Sequence, residues 1–103
     1  MKLIELNLEK IQELCRKYKV KTLSVFGSIL TDRFNDESDV DLLVTFIPHD
    51  PDSLDFDYFQ NYWDFHDSLE ILFGREVDLV EEGALRNRFF IANVNRTKQL
   101  IYG

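Results

Sequence analysis

Cysteine, proline and long apolar runs are scarce in this chain, and each shortage narrows what the protein can be. The one cysteine, Cys15, excludes an internal disulfide, and its place on an apolar helical stripe favours a small core residue over a nucleophile. The two prolines, Pro48 and Pro51, fall together and predict a loop. No apolar run is long enough to span a membrane, and residues 1–8 lack the apolar stretch of a signal peptide. We therefore expect a soluble, cytoplasmic protein that does not contact membranes.

Basic residues are also in deficit. The chain has 12 Lys and Arg residues against 19 Asp and Glu residues, which gives a formal net charge of −7. Non-specific nucleic-acid binding needs a basic surface that displaces counterions, so this class of function is disfavoured. Acids concentrate between residues 32 and 67, and most of them predict solvated loop and helix surface. Asp39 and Asp41 differ from the rest because of their spacing.

The amount of apolar material predicts one compact domain. The chain has 103 residues, of which 45% are hydrophobic, and its nine Phe, four Tyr and one Trp supply bulk for a core. We assign residues 1–103 to a single domain.

Hydrophobic periodicity predicts helices and strands in alternation. Asn7 and Ser28 are expected to cap helices, and Gly74 to end one. Residues 96–102 predict either a final helical turn or an edge strand. The predicted helices are 7–18, 29–34, 55–73 and 82–93, and the predicted strands are 22–26, 40–46 and 76–80. This order indicates an α/β or α+β domain with helices packed on a small sheet, parallel or mixed.

Asp39 and Asp41 flank Val40 at the start of the strongest predicted strand. Residues i and i+2 of a strand point to the same face, about 6.6 Å apart along the chain. Two carboxylates so close repel each other, and a hard cation such as Mg²⁺ relieves the conflict. The alternative is a turn residue followed by the first residue of a strand. Asp-x-Asp alone favours that alternative.

Two further elements have equally plain alternatives. Gly27 and Ser28 lie between a strand and a predicted helix, where backbone N–H groups and a hydroxyl can meet a phosphate. An ordinary strand-to-helix turn with a capping serine explains them as well. Asp78 lies within a predicted strand, and would join the other two carboxylates if its strand is next to that of Asp41. Otherwise it is an exposed charge on an edge strand.

The combination is far more specific than its parts. Ten residues separate Gly27-Ser28 from Asp39-Val40-Asp41, and Asp78 follows on a later strand. The spacing of these residues resembles that of the DNA polymerase β-like nucleotidyltransferase superfamily. Within it, the chain resembles the minimal nucleotidyltransferase (MNT) domains that act as antitoxins beside HEPN toxins. The resemblance implies the polymerase β-like fold and a triphosphate held by Gly27 and Ser28. It also implies catalytic, metal-binding roles for Asp39, Asp41 and Asp78, with two Mg²⁺ ions and ATP or another nucleoside triphosphate as substrate.

The residues after the Gly-Ser pair depart from the family pattern. Many relatives carry arginines there, whereas this chain has Ile29, Leu30 and Thr31, and its first base is Arg33. Arg33 is a candidate nucleotide ligand if the loop folds back, but it could equally pair with Asp32 or Asp36. Neither histidine, His49 or His66, has metal-ligand partners at useful spacing, and His66 is expected to pack in a helix interface.

Two functions follow from the resemblance. The first is an enzyme that transfers AMP from ATP to a hydroxyl of a partner, for which the resemblance implies a tyrosine of a HEPN toxin. The second is a nucleotide-binding or interaction module that neutralises its partner by binding alone, which the missing arginines favour. A homo-oligomer is compatible with either function.

Overall fold

A four-stranded mixed sheet forms the centre of the molecule in a computed structural model that describes all residues, 1–103. The strand order is β3-β2-β1-β4, in which β1 runs antiparallel to β2 and β4, while β2 and β3 are parallel. The strands are β1 (Val20–Phe26), β2 (Val40–Phe46), β3 (Val77–Glu81) and β4 (Gln99–Tyr102). The predicted fold class is confirmed, and the mixed alternative is the correct one.

Three α-helices and two short 3₁₀ turns connect the strands. The helices are α1 (Lys2–Lys17), α2 (Tyr58–Phe73) and α3 (Arg88–Thr97), and the 3₁₀ turns are Gly27–Leu30 and Glu82–Ala84. Gly74 ends α2 in the left-handed conformation, as predicted, and the side chain of Asp57 caps its first turn by accepting from the Gln60 amide. None of these helices combines the length and the apolar character needed to cross a bilayer.

The main core lies between one face of the sheet and the helices α1 and α2. Val40, Leu42 and Val44 point into it from β2, as their alternation predicts, and Phe65 of α2 packs there completely buried. Cys15 of α1 is also fully buried. Burial raises the pKa of the Cys15 thiol to about 12, so it is a neutral core side chain, as predicted.

The opposite face of the sheet is covered only in part, by α3. A smaller cluster of Phe26, Leu43 and Val94 joins this helix to β1 and β2. Asp78, on the same face of β3, is exposed. The end of the sheet where β2 and β3 begin is therefore open to solvent.

Several predicted helix boundaries are wrong for local reasons. Helix α1 begins at Lys2, and Asn7 lies inside it, where its side-chain amide donates back to the Leu3 carbonyl at 2.8 Å instead of capping. Ser28 caps no helix, because residues 27–30 form a 3₁₀ turn and the chain then bends. The helix predicted over 82–93 starts only at Arg88, since the Asn87 side chain accepts from the Phe90 amide there.

The C-terminal segment resolves the alternative left open by its sequence. Residues 99–102 form the edge strand β4, which pairs with β1 through Leu23 and Tyr102. This strand completes the sheet on the side away from β3.

Candidate active site

Three carboxylates meet at the open end of the sheet. Asp41 and Asp78 are direct neighbours in the parallel pairing of β2 with β3, and Asp39 immediately precedes β2. A hydrogen bond of 3.0 Å from the Val40 amide to the Glu76 carbonyl fixes the start of the two strands side by side. None of the three aspartates is in an ion pair. The strands thus place unneutralised acids together at one point.

Arg75 holds the turn that leads into Asp39. Its guanidinium donates to the Asn35 carbonyl at 2.8 Å and to the Ser38 carbonyl at 2.9 Å, and it lies over the Phe34 ring, 4.7 Å from the centroid. Sequence reasoning missed this positioning residue, because its contacts span some forty positions of the chain. The only local signal was a base at the end of the helix that precedes Asp78.

Gly27 packs directly against the Asp41 carboxylate. Phe26 pairs with Asp41 across the antiparallel strands, so the chain leaves β1 beside that side chain. Gly27 has a φ of +74°, and a Cβ added to it would lie 2.2 Å from Asp41 Oδ2. Glycine is required here by the backbone conformation and by the close approach of the carboxylate. The turn predicted to hold phosphate and the acids predicted to hold metal are therefore in contact.

The electrostatics of Asp41 are those of a charge without a counter-ion. Burial raises the pKa of the Asp41 carboxyl, and the charges of Asp78 and Asp39 raise it further, while the backbone amide of Ser28 opposes the rise. A divalent cation bound among these oxygens would remove both the repulsion and the desolvation penalty. The donor set thus fits Mg²⁺.

Replacing Asp41 with asparagine should stabilise the metal-free protein at neutral pH. The pKa of Asp41 is higher in the folded protein than in the unfolded chain, so the protonated carboxyl favours folding. This stabilisation is complete at pH values below the unfolded pKa. It is lost as the pH rises through the folded pKa and the carboxyl ionises. We expect Asp41→Asn to raise the Tm at pH 7 in EDTA by roughly a few degrees, and to have little effect near pH 4. Thermal unfolding at both pH values measures this. The exposed Asp32→Asn is the control, and equal shifts in the two variants would contradict the assignment.

The residues after the Gly-Ser pair do not replace the missing arginines. Ile29 is buried in the main core, and the Thr31 hydroxyl donates to the Ser28 carbonyl at 2.8 Å. Arg33 is exposed, and its guanidinium pairs with neither Asp32 nor Asp36 and makes no hydrogen bond to the turn. The side chain of Arg33 is thus unengaged, and the structure does not bring it to the site.

A cavity of about 500 Å³ opens beside Gly27 and Asp41, between the end of β1 and helix α3. Its α3 wall includes Phe90 and Asn93, neither of which the sequence reasoning singled out. These two residues were missed because the start of α3 was predicted six residues too early. The side of the helix that faces the cavity could therefore not be assigned.

The prediction that His66 lacks partners at metal-ligand spacing is wrong. Ligand atoms of His66, Asp67 and Glu70 lie within 4.8 Å of one another. These atoms are already engaged, because the His66 ring bonds the Val77 carbonyl at 3.0 Å and Glu70 accepts from the Val77 amide at 2.9 Å. The group ties α2 to β3, so the predicted packing of His66 in a helix interface is wrong: its ring contacts a strand.

Fold and site together define a nucleotidyltransferase. The family model described as a nucleotidyltransferase domain matches residues 9–101, and the chain belongs to this family. The resemblance inferred from the Gly-Ser turn and the aspartates is thereby confirmed.

Curated relatives carry more specific names. The chain is 37% identical over 86 residues to MJ0128 of Methanocaldococcus jannaschii, named as a candidate protein adenylyltransferase, with 84% of this chain and 79% of the relative covered. It is 36% identical over 76 residues to the protein adenylyltransferase MntA of Thermococcus cleftensis, with 74% of this chain and 70% of the relative covered.

A solved structure shares the fold. It is the complex of a tri-AMPylated HEPN toxin of Shewanella oneidensis with an MNT antitoxin, and a chain of it aligns with a TM-score of 0.64 at 22% identity. The alignment covers 96% of this chain and 71% of that chain. At this identity the likeness establishes the fold alone.

Proposed function

We propose that this protein transfers AMP from ATP to a hydroxyl group of a partner protein, with Mg²⁺ bound at the carboxylate cluster. The observation that carries the proposal is the contact between Gly27 and Asp41, with Asp78 adjacent on the next strand. A turn that brings backbone N–H groups to the cluster, and a set of carboxylates in no ion pair, are the two halves of a metal–triphosphate site. The names of the curated relatives support adenylyl transfer.

Each residue has a separate task in this proposal. Asp39 and Asp41 hold the metal–triphosphate complex, and the amides of Gly27 and Ser28 bind phosphate oxygens that leave as pyrophosphate. Bound Mg²⁺ would supply charge stabilisation for the attacking and leaving oxygens at the α-phosphorus. Asp78 completes the metal site and accepts the proton of the attacking hydroxyl. Arg33 is a candidate phosphate ligand that requires its loop to move toward the turn.

The shape of the site favours a large acceptor. Helix α3 covers the sheet beyond the carboxylates, but Asp78 is exposed on the edge strand β3. A side chain presented by another protein can therefore reach Asp78 without passing through a closed cavity. A HEPN-type toxin with an acceptor tyrosine fits this arrangement, by analogy with the AMPylated toxin in the solved complex.

Binding alone is the second candidate function. The unengaged Arg33 and the buried Ile29 leave the phosphate side of the site without a side-chain cation. In that case ATP would bind, and the partner would be neutralised without modification. Mass spectrometry of the partner after incubation with ATP and Mg²⁺ separates the two functions, because only the enzyme leaves an AMP adduct.

Binding of ATP should require a divalent cation. Without Mg²⁺, the triphosphate would meet three carboxylates and a protein of net charge −7, so repulsion opposes binding. We expect calorimetry to detect ATP binding in Mg²⁺ and at least a tenfold loss of affinity in EDTA. Equal affinity under both conditions would overturn the metal-dependent proposal.

A further inference from the structure

The cavity beside Gly27 and Asp41 has a lining unlike that of a phosphate site. Its walls include the apolar side chains of Phe26, Leu30 and Phe90, and no lysine or arginine lines it. The one charged residue is Asp41, an acid. Beyond Gly27 and Asp41, a phosphate group would meet mainly hydrocarbon, with no basic side chain to offset its charge. The cavity therefore suits the uncharged part of a nucleotide.

Its dimensions and aromatic wall suit a nucleobase with its ribose. The volume of about 500 Å³ lies in the usual range of small-molecule sites. Phe26 and Phe90 meet edge to face, with ring centroids 6.0 Å apart, so the two rings brace each other. Phe90 remains 39% exposed, and its ring is available to a planar ligand. Base–aromatic stacking tolerates any base, so it supplies affinity and little discrimination.

Asn93 can supply the discrimination. Its side-chain oxygen accepts a hydrogen bond of 2.8 Å from the Arg96 guanidinium. Arginine only donates, so the amide presents its oxygen, not its NH₂ group, to Arg96. The NH₂ group of Asn93, a residue of the cavity wall, has no hydrogen-bond partner in the protein and can donate to an acceptor atom of the base, such as a purine ring nitrogen.

We propose that the cavity between α3 and the end of β1 is the nucleoside subsite, with Phe90 stacking on the base and Asn93 reading it. This inference rests on the proposed function, because it places the base and ribose of the same triphosphate whose phosphates meet Gly27 and Ser28. It assigns base preference to α3, a helix that contributes none of the carboxylates.

Comparing ATP with inorganic tripolyphosphate tests the subsite. Both ligands present a phosphate chain with Mg²⁺, but only ATP has a base. We expect Phe90→Ala to weaken Mg²⁺–ATP binding by roughly tenfold and to leave Mg²⁺–tripolyphosphate binding unchanged, as measured by calorimetry. Phe89→Ala is the matched control, because Phe89 is 88% exposed and does not line the cavity. It should alter neither affinity.

A second variant addresses base reading. Asn93→Ala should reduce the preference of the wild type between ATP and the pyrimidine triphosphates, and leave tripolyphosphate binding unchanged. An unchanged preference would overturn the role of Asn93.

The outcomes distinguish the subsite from the function on which it rests. If Phe90→Ala weakens the binding of ATP and of tripolyphosphate equally, or changes neither affinity, the nucleoside binds elsewhere. The proposed subsite is then overturned, while the proposed phosphate site stands. The same holds if the wild type binds ATP no more tightly than tripolyphosphate. If the wild type binds neither ligand in Mg²⁺, the proposed function fails and the subsite fails with it.

Discussion

Gly27→Ala should reduce Mg²⁺–ATP affinity and adenylyl transfer by about 100-fold or more. The new methyl group would lie 2.2 Å from Asp41 Oδ2, and the backbone φ of +74° is already strained for alanine. The carboxylate must move away, which displaces the proposed metal ligand and the amides proposed to bind phosphate together. Displacements on the order of 1 Å in such a site cost about 100-fold in rate. Calorimetry and a labelled-nucleotide assay measure the two losses.

Gly74→Ala is the matched control for this substitution. Gly74 has a nearly equal φ of +66°, but a Cβ there meets nothing within 4 Å. Both variants should lose about 1 kcal/mol of unfolding free energy from backbone strain. Only Gly27→Ala should lose nucleotide binding. Wild-type ATP affinity in a folded Gly27→Ala protein would show that the contact with Asp41 is not part of the site.

Asp78→Asn should separate chemistry from binding. Asparagine keeps the shape of the side chain but accepts no proton and carries no charge. Because Asp39 and Asp41 remain to hold the metal–triphosphate complex, we expect ATP affinity to fall little. Transfer should fall by roughly 100-fold or more, the lower end of what a positioned base contributes. Both quantities are measured on the same folded preparation.

Glu76→Gln is the control for the third carboxylate. Glu76 precedes β3 two residues before Asp78, so strand alternation favours the same face. Glu81, at the end of β3, is a poorer candidate for the base, because the Tyr58 hydroxyl of α2 donates to it on the core side of the sheet. Transfer at the wild-type rate by Asp78→Asn, with loss in Glu76→Gln, would reassign the base to Glu76.

The strands and the acids could be predicted from sequence, because their signals are local. Val40 to Phe46 reads as a strand through its own β-branched and aromatic residues, and its observed bounds are the predicted ones. Asp39 and Asp41 share a face through the two-residue period of any strand. The conclusion that they form a site needed the family resemblance, since each element alone had an ordinary explanation.

Contacts between distant segments could not be predicted in this way. The approach of Gly27 to Asp41 depends on the register of β1 with β2, which no single segment encodes. Likewise, Arg75 reaches the Ser38 carbonyl across the start of two parallel strands. Helix α3 was misplaced because side-chain caps compete locally, and the Asn87 cap set its start. The residues that α3 contributes to the cavity wall depend on where the helix starts, so they could not be predicted.

The most direct test of the account is transfer of label from ATP to a partner. The protein would be incubated with Mg²⁺, the product of the adjacent gene, and ATP labelled either at the α- or at the γ-phosphorus. The account predicts that the partner acquires label from α-labelled ATP only, that EDTA prevents it, and that Asp41→Asn and Gly27→Ala lose it. Label from γ-labelled ATP, or no label from either while ATP still binds, would contradict adenylyl transfer.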